Sequence, residues 1–572
     1  MKRDLDALVG GEFDLLVVGG GIFGCCAAWE AAHRGLKTAL IERCDFCQAT
    51  SANHLKMVHG GIRYLQHLDI PRVWESCRER SALLRICPHL VYPLPIVMPT
   101  YGHAMKGKEV LRAGMLLYDL LTLGRNRGIR DPDRRIPWGR TMSRKEVLGH
   151  FPVLEPEGLT GAGVFADGQM YNPPRLALSF LMAACRLGAC AANYLGAEEL
   201  LCNGKKVTGV RARDYVTGET LQIRAKVVLN TAGPWAHLLL RCSPETELYF
   251  KPTFSRDTAM VVRKQLSDRY ALALPCRTKD ADAIIDRGGR HLFFAPWRSY
   301  TLIGVWHGVY RGDPECLRVT EEEIESYIRE VNEVYPGFGL KRDDVLFINT
   351  GLILFGEETK QDVTKHSFGK RSILVDHAKK NGIEGLISLI GVRATTARGK
   401  AQRAVDLAFR KLGRRPRPSA SAWTPIFGGD FESFEDLYRS ARDALGSQLS
   451  DRCVRALVHN YGTSWREVFR YAEKNPAGGK PLGDTTVLAA EVLHAVHEEM
   501  ALRLADIVFR RTDLGTAGDP GQEALGECAR IAAQALGWSP EKLAEELEEV
   551  REDFRLQGTV KRFRPERVGG PK

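Results

Sequence analysis

Gly19-Gly20-Gly21-Ile22-Phe23-Gly24 follows the apolar run Phe13-Asp14-Leu15-Leu16-Val17-Val18 and opens the small-residue stretch Cys25 to Ala32, which gives strand, glycine turn and helix in that order. This is the order a dinucleotide site requires. Gly19 permits the tight turn, Gly21 lets backbone N–H groups approach a pyrophosphate, and Gly24 lets helix and strand come close. The helix N-terminus favours the negative charge. A second strand, Lys37 to Ile41, ends at Glu42, roughly 20 residues on, where a carboxylate accepts ribose hydroxyls. Next comes the run Lys56-Met57-Val58-His59-Gly60-Gly61-Ile62-Arg63-Tyr64.

Outward from this stretch, Lys205 to Val210 and Leu221 to Arg224 read as paired strands, and Lys226 to Leu229 as a buried strand entering Asn230-Thr231-Ala232-Gly233-Pro234-Trp235. Ala232 and Gly233 let the backbone pass close to a bound dinucleotide. Strand content rises from Leu248 to Val375, as in a mixed substrate-domain sheet. Leu386 to Ile390 then leads into Gly391-Val392-Arg393-Ala394-Thr395-Thr396 and a helix, a second positive dipole end. Prolines and charges from Gly413 to Ser419 mark a linker. Beyond it Phe431 to Phe554 reads as amphipathic helices, one of them from Thr485 to Arg510. The expected domains are 1–240, nucleotide-binding with an insertion over 90–150; 241–377, substrate; 378–412, the returning nucleotide segment; 413–424, linker; and 425–572, helical.

With 572 residues and 44% hydrophobic content the chain can build several cores, and no apolar run of about 18 residues predicts a spanning helix. The N-terminus runs almost directly into the first strand and leaves no room for a signal peptide. Fourteen scattered cysteines fit a reducing compartment, so the expected location is cytoplasmic. A net charge of +11 suits an anionic substrate, nucleic acid or an acidic membrane surface, but no nucleic-acid-binding signature is present. Between Lys106 and Arg130, Met115, Leu116, Leu117, Leu120, Leu121 and Leu123 are flanked by basic residues. Two readings are open for it: a core helix with snorkelling ends, or a helix lying in a headgroup layer on the cytoplasmic face of a membrane. Cys44-x-x-Cys47 lacks the partner pair that zinc needs, and His494 and His497 read as a solvated helix face, so no metal is expected.

The chain resembles the FAD-dependent glycerol-3-phosphate dehydrogenase family. The resemblance rests on Gly19 to Gly24, Val58 to Leu65, Glu79-Arg80-Ser81 with Pro88-His89-Leu90, Asn230 to Trp235, Tyr310 to Pro314, Thr395 to Arg398, and Glu498 through Thr512. It implies an α/β fold: a glutathione-reductase-like FAD-binding Rossmann domain, an antiparallel-sheet substrate domain and a helical C-terminal domain. It implies that sn-glycerol 3-phosphate is oxidised to dihydroxyacetone phosphate, with hydride passing to flavin N5 and electrons going on to quinone or another acceptor. The FAD-contact positions are Gly19, Gly21, Gly24, Glu42, Arg43, Thr50, Ser51, Lys56, Met57, Ala232, Gly233, Gly391 and Thr395. Arg63 and Tyr64 match the phosphate-binding pair, for which a guanidinium fork is suited.

Three positions depart from the family pattern. Ile353 stands where an arginine is usual, Arg393 where a lysine is usual, and Ala259 where a histidine beside the flavin is usual. A base is therefore sought elsewhere. His307 in Gly304-Val305-Trp306-His307-Gly308 is the leading candidate and His366 the second, because imidazole exchanges protons near neutral pH. Two alternatives follow: the same scaffold acting on another small anionic alcohol or amine, or a flavin-binding redox sensor without turnover. Nothing in the sequence decides the oligomeric state.

Overall fold

The computed structural model describes residues 1–102, 107–241, 253–279, 289–355, 372–474 and 476–556. Two sheets organise the described residues. In the first, strand Glu12–Val18 lies between Thr38–Ile41 and Thr220–Asn230, parallel to both, and Cys190–Ala192 and Leu386–Ile390 extend the parallel set on either side. The central strand is buried from Phe13 to Val18, which its near-continuous apolar sequence demands. Helix Ile22–His33 covers it and packs against helices Pro173–Arg186 and Ala397–Lys411. The small residues of the first helix allow that close approach. Strand Leu386–Ile390 and helix Ala397–Lys411 thus pack with the glycine-turn strand and helix.

The second sheet is almost wholly antiparallel. Its order is Val345–Phe355, Thr253–Val262, Tyr300–Tyr310, Gly289–Trp297, Ala271–Lys279, Val91–Tyr101, Leu159–Met170 and Met57–Val58, with Arg140–Ser143 also paired to Leu159–Met170. This differs from the expected boundaries, first because Met57–Val58 and Leu159–Met170, expected in the nucleotide domain, belong to the second sheet. Residues 90–150, expected as an insertion in the nucleotide domain, supply Val91–Tyr101 and Arg140–Ser143 to the second sheet. Ile373–Asp376, expected in the substrate domain, instead pairs antiparallel with Leu386–Ile390 in the first. Pro93, Pro95 and Pro99 lack the N–H a ladder uses, so Val91–Tyr101 carries a weak strand signal. Its long antiparallel register with Leu159–Met170 supplies what local sequence does not.

The C-terminal region is helical, with helices Phe434–Leu445, Asp451–Tyr461, Trp465–Lys474, Ala489–Glu498, Gln522–Leu536 and Pro540–Arg555. The helix expected from Thr485 to Arg510 is broken. Met500 takes a left-handed backbone at φ 57°, and a second segment resumes at Leu504. Glu499 explains the break: it is fully buried and receives both Arg175 Nη1 hydrogen bonds, at 2.5 and 2.6 Å. The same pairing corrects the solvated-face reading at His494. That ring is buried with Nε2 3.3 Å from Glu499 Oε1, while His497 is exposed and stacks on Tyr471. The linker is docked as well, with Arg414 paired to Asp14 at 2.8 Å.

Candidate active site

The glycine turn has the geometry its sequence predicts. Gly19 sits at φ 110°, and a Cβ there would lie 2.8 Å from the Ala232 backbone. A Cβ at Gly24 would fall 1.9 Å from the Gly19 carbonyl oxygen, so only glycine lets the helix start there. Glu42 reaches back into the turn. Its carboxylate accepts the Gly20 N–H at 2.6 Å and the Cys44 N–H at 2.9 Å, so it braces the loop it was expected to serve only as a ribose acceptor. Burial pushes its carboxyl up, and those two N–H donors offset part of the rise. The Ser51 hydroxyl accepts the Ile22 N–H at 2.9 Å, and Thr50 exchanges hydrogen bonds with the Leu352 backbone.

A cavity of about 550 Å³ opens at this turn and runs to the second sheet. Gly19, Gly21, Glu42, Arg43, Thr50, Ser51, Met57, Ala232, Gly233, Gly391 and Thr395 all line it. A Cβ at Gly391 would lie 2.0 Å from the Phe23 ring, so a side chain there would displace that ring. Gly24 acts behind the wall through helix packing. Lys56 is buried beside the cavity wall, its Nζ 3.1 Å from Asn349 Oδ1 and 4.7 Å from the Trp297 ring centre.

The substrate candidates separate. Arg393 lines the cavity and donates from Nη1 to Tyr64 Oη at 3.1 Å and Ser76 Oγ at 2.9 Å. Tyr64 is thereby tied to the cavity through Arg393. Arg63 is exposed and is not among the lining residues. His307 is also off the wall, with Nδ1 2.8 Å from Asp257 Oδ1, and only the Asp257 carboxylate borders the cavity. His366 and its basic loop lie outside the described residues. Ile353 and Leu352 give the wall an apolar stretch where the resemblance expects a cation, and Ala259 is buried among apolar neighbours, including Leu55 and Met57.

Sequence reasoning passed over His59. It lines the cavity, and its Nδ1 lies 3.0 Å from Asp167 Oδ2. Asp167 is in turn fixed by the Gly60 N–H at 2.7 Å and by Arg80 Nη1 at 2.7 Å, with Arg80 fully buried. Burial raises the Asp167 carboxyl, but the His59 hydrogen bond and the Arg80 charge outweigh it, and the net shift is downward. The only sequence signal was a histidine beside two glycines inside a run already quoted for other reasons.

A family model described as FAD dependent oxidoreductase matches residues 14–360, and one described as the C-terminal domain of alpha-glycerophosphate oxidase matches residues 419–543. The mitochondrial glycerol-3-phosphate dehydrogenase of Bos taurus is 31% identical over 561 residues, covering 94% of this chain and 73% of that one. The chain belongs to the FAD-dependent glycerol-3-phosphate dehydrogenase family. The glycerol-3-phosphate dehydrogenase of Synechocystis sp. is 29% identical across 96% of this chain and 98% of its own length. The fold matches the crystal structure of the Bacillus halodurans glycerol-3-phosphate dehydrogenase complexed with FAD, with a TM-score of 0.73 at 24% identity and 97% coverage of both chains. The protein is thus an FAD-dependent oxidoreductase, and its cradle fits the cofactor: three glycines stand where a Cβ would collide, and the start of helix Ile22–His33 borders the cavity.

Proposed function

We propose that the protein oxidises sn-glycerol 3-phosphate to dihydroxyacetone phosphate. The observation that carries this reading is that His59, held by Asp167, and Arg393, held by Tyr64, face the cavity that begins at the glycine turn. The curated relatives are named for the same substrate. Bound in the cradle, FAD supplies a two-electron acceptor. Arg393 offers the phosphate a planar fork of charge-assisted donors. Asp167 accepts from Nδ1–H of His59, leaving Nε2 to take the substrate hydroxyl proton as a general base. Ile353, Leu352 and Val305 keep that wall dry, which strengthens the polar contacts that remain.

Anaerobic addition of glycerol 3-phosphate to the purified yellow protein is expected to bleach the flavin absorbance. If glycerol 3-phosphate leaves the colour unchanged while another small hydroxy acid or amine bleaches it, the substrate assignment fails. Arg393→Ala should lower kcat/KM by about ten- to a hundredfold, as expected for one charged hydrogen bond of roughly 1.5 to 3 kcal/mol. Most of that loss should appear in KM.

Quinone is the acceptor this reading favours, and helix Lys108–Leu121 supports a membrane contact. That helix has two apolar faces, one buried and one exposed. Leu111, Met115 and Tyr118 are buried, whereas Leu116, Leu117, Leu120 and the following Leu123 are at least half exposed. Trp74 lies beside them, donating to the Leu121 carbonyl at 2.9 Å. Arg112, Arg127 and Arg130 are exposed, but Arg125 is buried against Asp119 at 2.9 Å and is no surface cation. Among the described residues no helix is long and apolar enough to cross a membrane. The chain should float with phosphatidylglycerol vesicles at low salt. Leu117→Asp with Leu120→Asp should cost about tenfold or more in partitioning and leave turnover with a soluble dye unchanged. Equal flotation of the double variant would remove the helix from the interface.

A further inference from the structure

The sequence pairs Cys47 with Cys44, but the fold pairs it with Cys25. Cys25 lies in the first turn of helix Ile22–His33, and Cys47 in the loop after strand Thr38–Ile41. Both thiols donate to the same acceptor, the Gly20 carbonyl, each at 3.4 Å. The Cys47 N–H also bonds that oxygen, at 3.1 Å. Cys25 is fully buried and Cys47 is 3% exposed, and both are free thiols. The neighbouring Cys47 thiol, followed by burial, pushes the Cys25 thiol well above its ordinary range, and the shared Gly20 acceptor places the two sulfurs on either side of one oxygen. Of the two, Cys47 borders the cofactor cavity, as Cys44 does.

We infer that Cys25 and Cys47 form a redox latch behind the pyrophosphate turn: a peroxide converts the pair to a disulfide, and the disulfide loosens FAD. The step balances. Each thiol gives up its hydrogen, one S–S bond forms, the O–O bond of hydrogen peroxide breaks, and two waters leave. Cys47 is the thiol that a water-sized oxidant reaches first, from the cavity.

The consequence for FAD follows from the packing around Gly20. An S–S bond is about 2 Å long, so oxidation draws the loop and the helix start together. It also removes both S–H bonds to the Gly20 carbonyl. The turn has little room to follow, because a Cβ added at Gly20 would already lie 2.7 Å from Phe46 and 3.0 Å from Glu42. Glu42 is the group that holds the Gly20 N–H, so displacement of the loop reaches the turn directly. The inference uses only the FAD cofactor and is independent of the substrate assignment.

The test uses the FAD-loaded full chain, treated with hydrogen peroxide, then blocked with N-ethylmaleimide and mapped by mass spectrometry without reduction. A linked Cys25–Cys47 peptide is expected. So is FAD release at least tenfold faster than in untreated protein, read by free-flavin fluorescence and reversed by dithiothreitol. Cys25→Ser keeps a hydroxyl donor for the Gly20 carbonyl and should hold FAD equally well before and after peroxide. A Cys44–Cys47 link in place of the expected one, or no link, overturns the pairing in the wild-type chain even if the variant fails to fold. A Cys25–Cys47 link with unchanged FAD release overturns the latch.

Discussion

His59→Asn is expected to slow flavin reduction by glycerol 3-phosphate by about 100- to 10,000-fold, the range for loss of a positioned general base, while FAD stays bound. The expectation rests on orientation. A free imidazole on a loop samples both ring flips, and either nitrogen carries the proton. Here Asp167 Oδ2 lies 3.0 Å from Nδ1, and the carboxylate has no freedom of its own because the Gly60 N–H and Arg80 hold its other oxygen. The proton therefore belongs on Nδ1, and Nε2 is the accepting atom. Asp167→Asn provides the second measurement. An amide can turn its oxygen or its NH₂ to the ring, so the wrong tautomer becomes accessible, and kcat should fall with KM nearly unchanged. A purely structural Asp167 would instead lower FAD content and stability. His307→Ala discriminates between the two histidines. Its ring hydrogen-bonds Asp257 away from the cavity wall, so a loss under tenfold is expected. Stopped-flow flavin bleaching on the three variants decides. If His307→Ala falls further than His59→Asn, the base has been misassigned.

What the sequence disclosed and what it withheld divide along the distance between partners. Gly19 and Gly24 answer demands of the turn itself, a positive φ and a backbone too close for a Cβ, so their spacing after a strand marked the turn. Glu42 was marked by its place at the end of the second strand, and Ser51 only by the family resemblance; that both brace the turn appears in the fold. The base was not. Its orienting carboxylate lies 108 residues away along the chain, and it is brought alongside by antiparallel pairing of Met57–Val58 with Leu159–Met170. No spacing rule reaches that far. Glu499 and His494 misled in the opposite direction: helical periodicity gave them to solvent, but their partner Arg175 sits 324 residues from Glu499 on a helix of the nucleotide domain. The apolar helix Lys108–Leu121 shows the limit of periodicity itself. Its pattern contains both a buried and an exposed apolar face, and only the fold tells which leucines belong to which.

Asp45→Ala should destabilise the protein by about 3 to 5 kcal/mol, the usual cost of removing one partner from a buried ion pair, and should release FAD with it. Asp45 is 1% exposed and joins the cofactor loop to the C-terminal region. Arg511 grips both of its oxygens, at 2.7 and 2.8 Å; Arg510 Nε is 2.5 Å away; and Asn193 donates at 2.9 Å. Without the carboxylate, two buried guanidinium groups lose a common counter-ion, and Arg510 keeps only Asp506, at 2.6 Å. Because Asp45 directly follows Glu42-Arg43-Cys44, slack there passes to the carboxylate that holds the Gly20 N–H. Acid should mimic the substitution. Burial alone would raise the Asp45 carboxyl, but the Arg511 and Arg510 charges beside it bring it below the ordinary carboxylate range. A carboxyl depressed on folding stabilises fully above its unfolded pKa of about 4, and that stability is lost as pH falls through the folded value. Asp506 acts in the opposite sense, since burial and the Asp45 charge push it up, and it offsets part of the loss. The measurement is urea unfolding followed by flavin fluorescence from pH 7 down to 3, on wild type and Asp45→Ala, with Arg439→Ala in an exposed pair as control. Wild type should lose stability across that range while Asp45→Ala, already lacking the pair, changes less. An Asp45→Ala protein as stable as wild type at pH 7 would mean that the buried arginines find other partners and that the loop is held to the C-terminal helices by apolar packing alone.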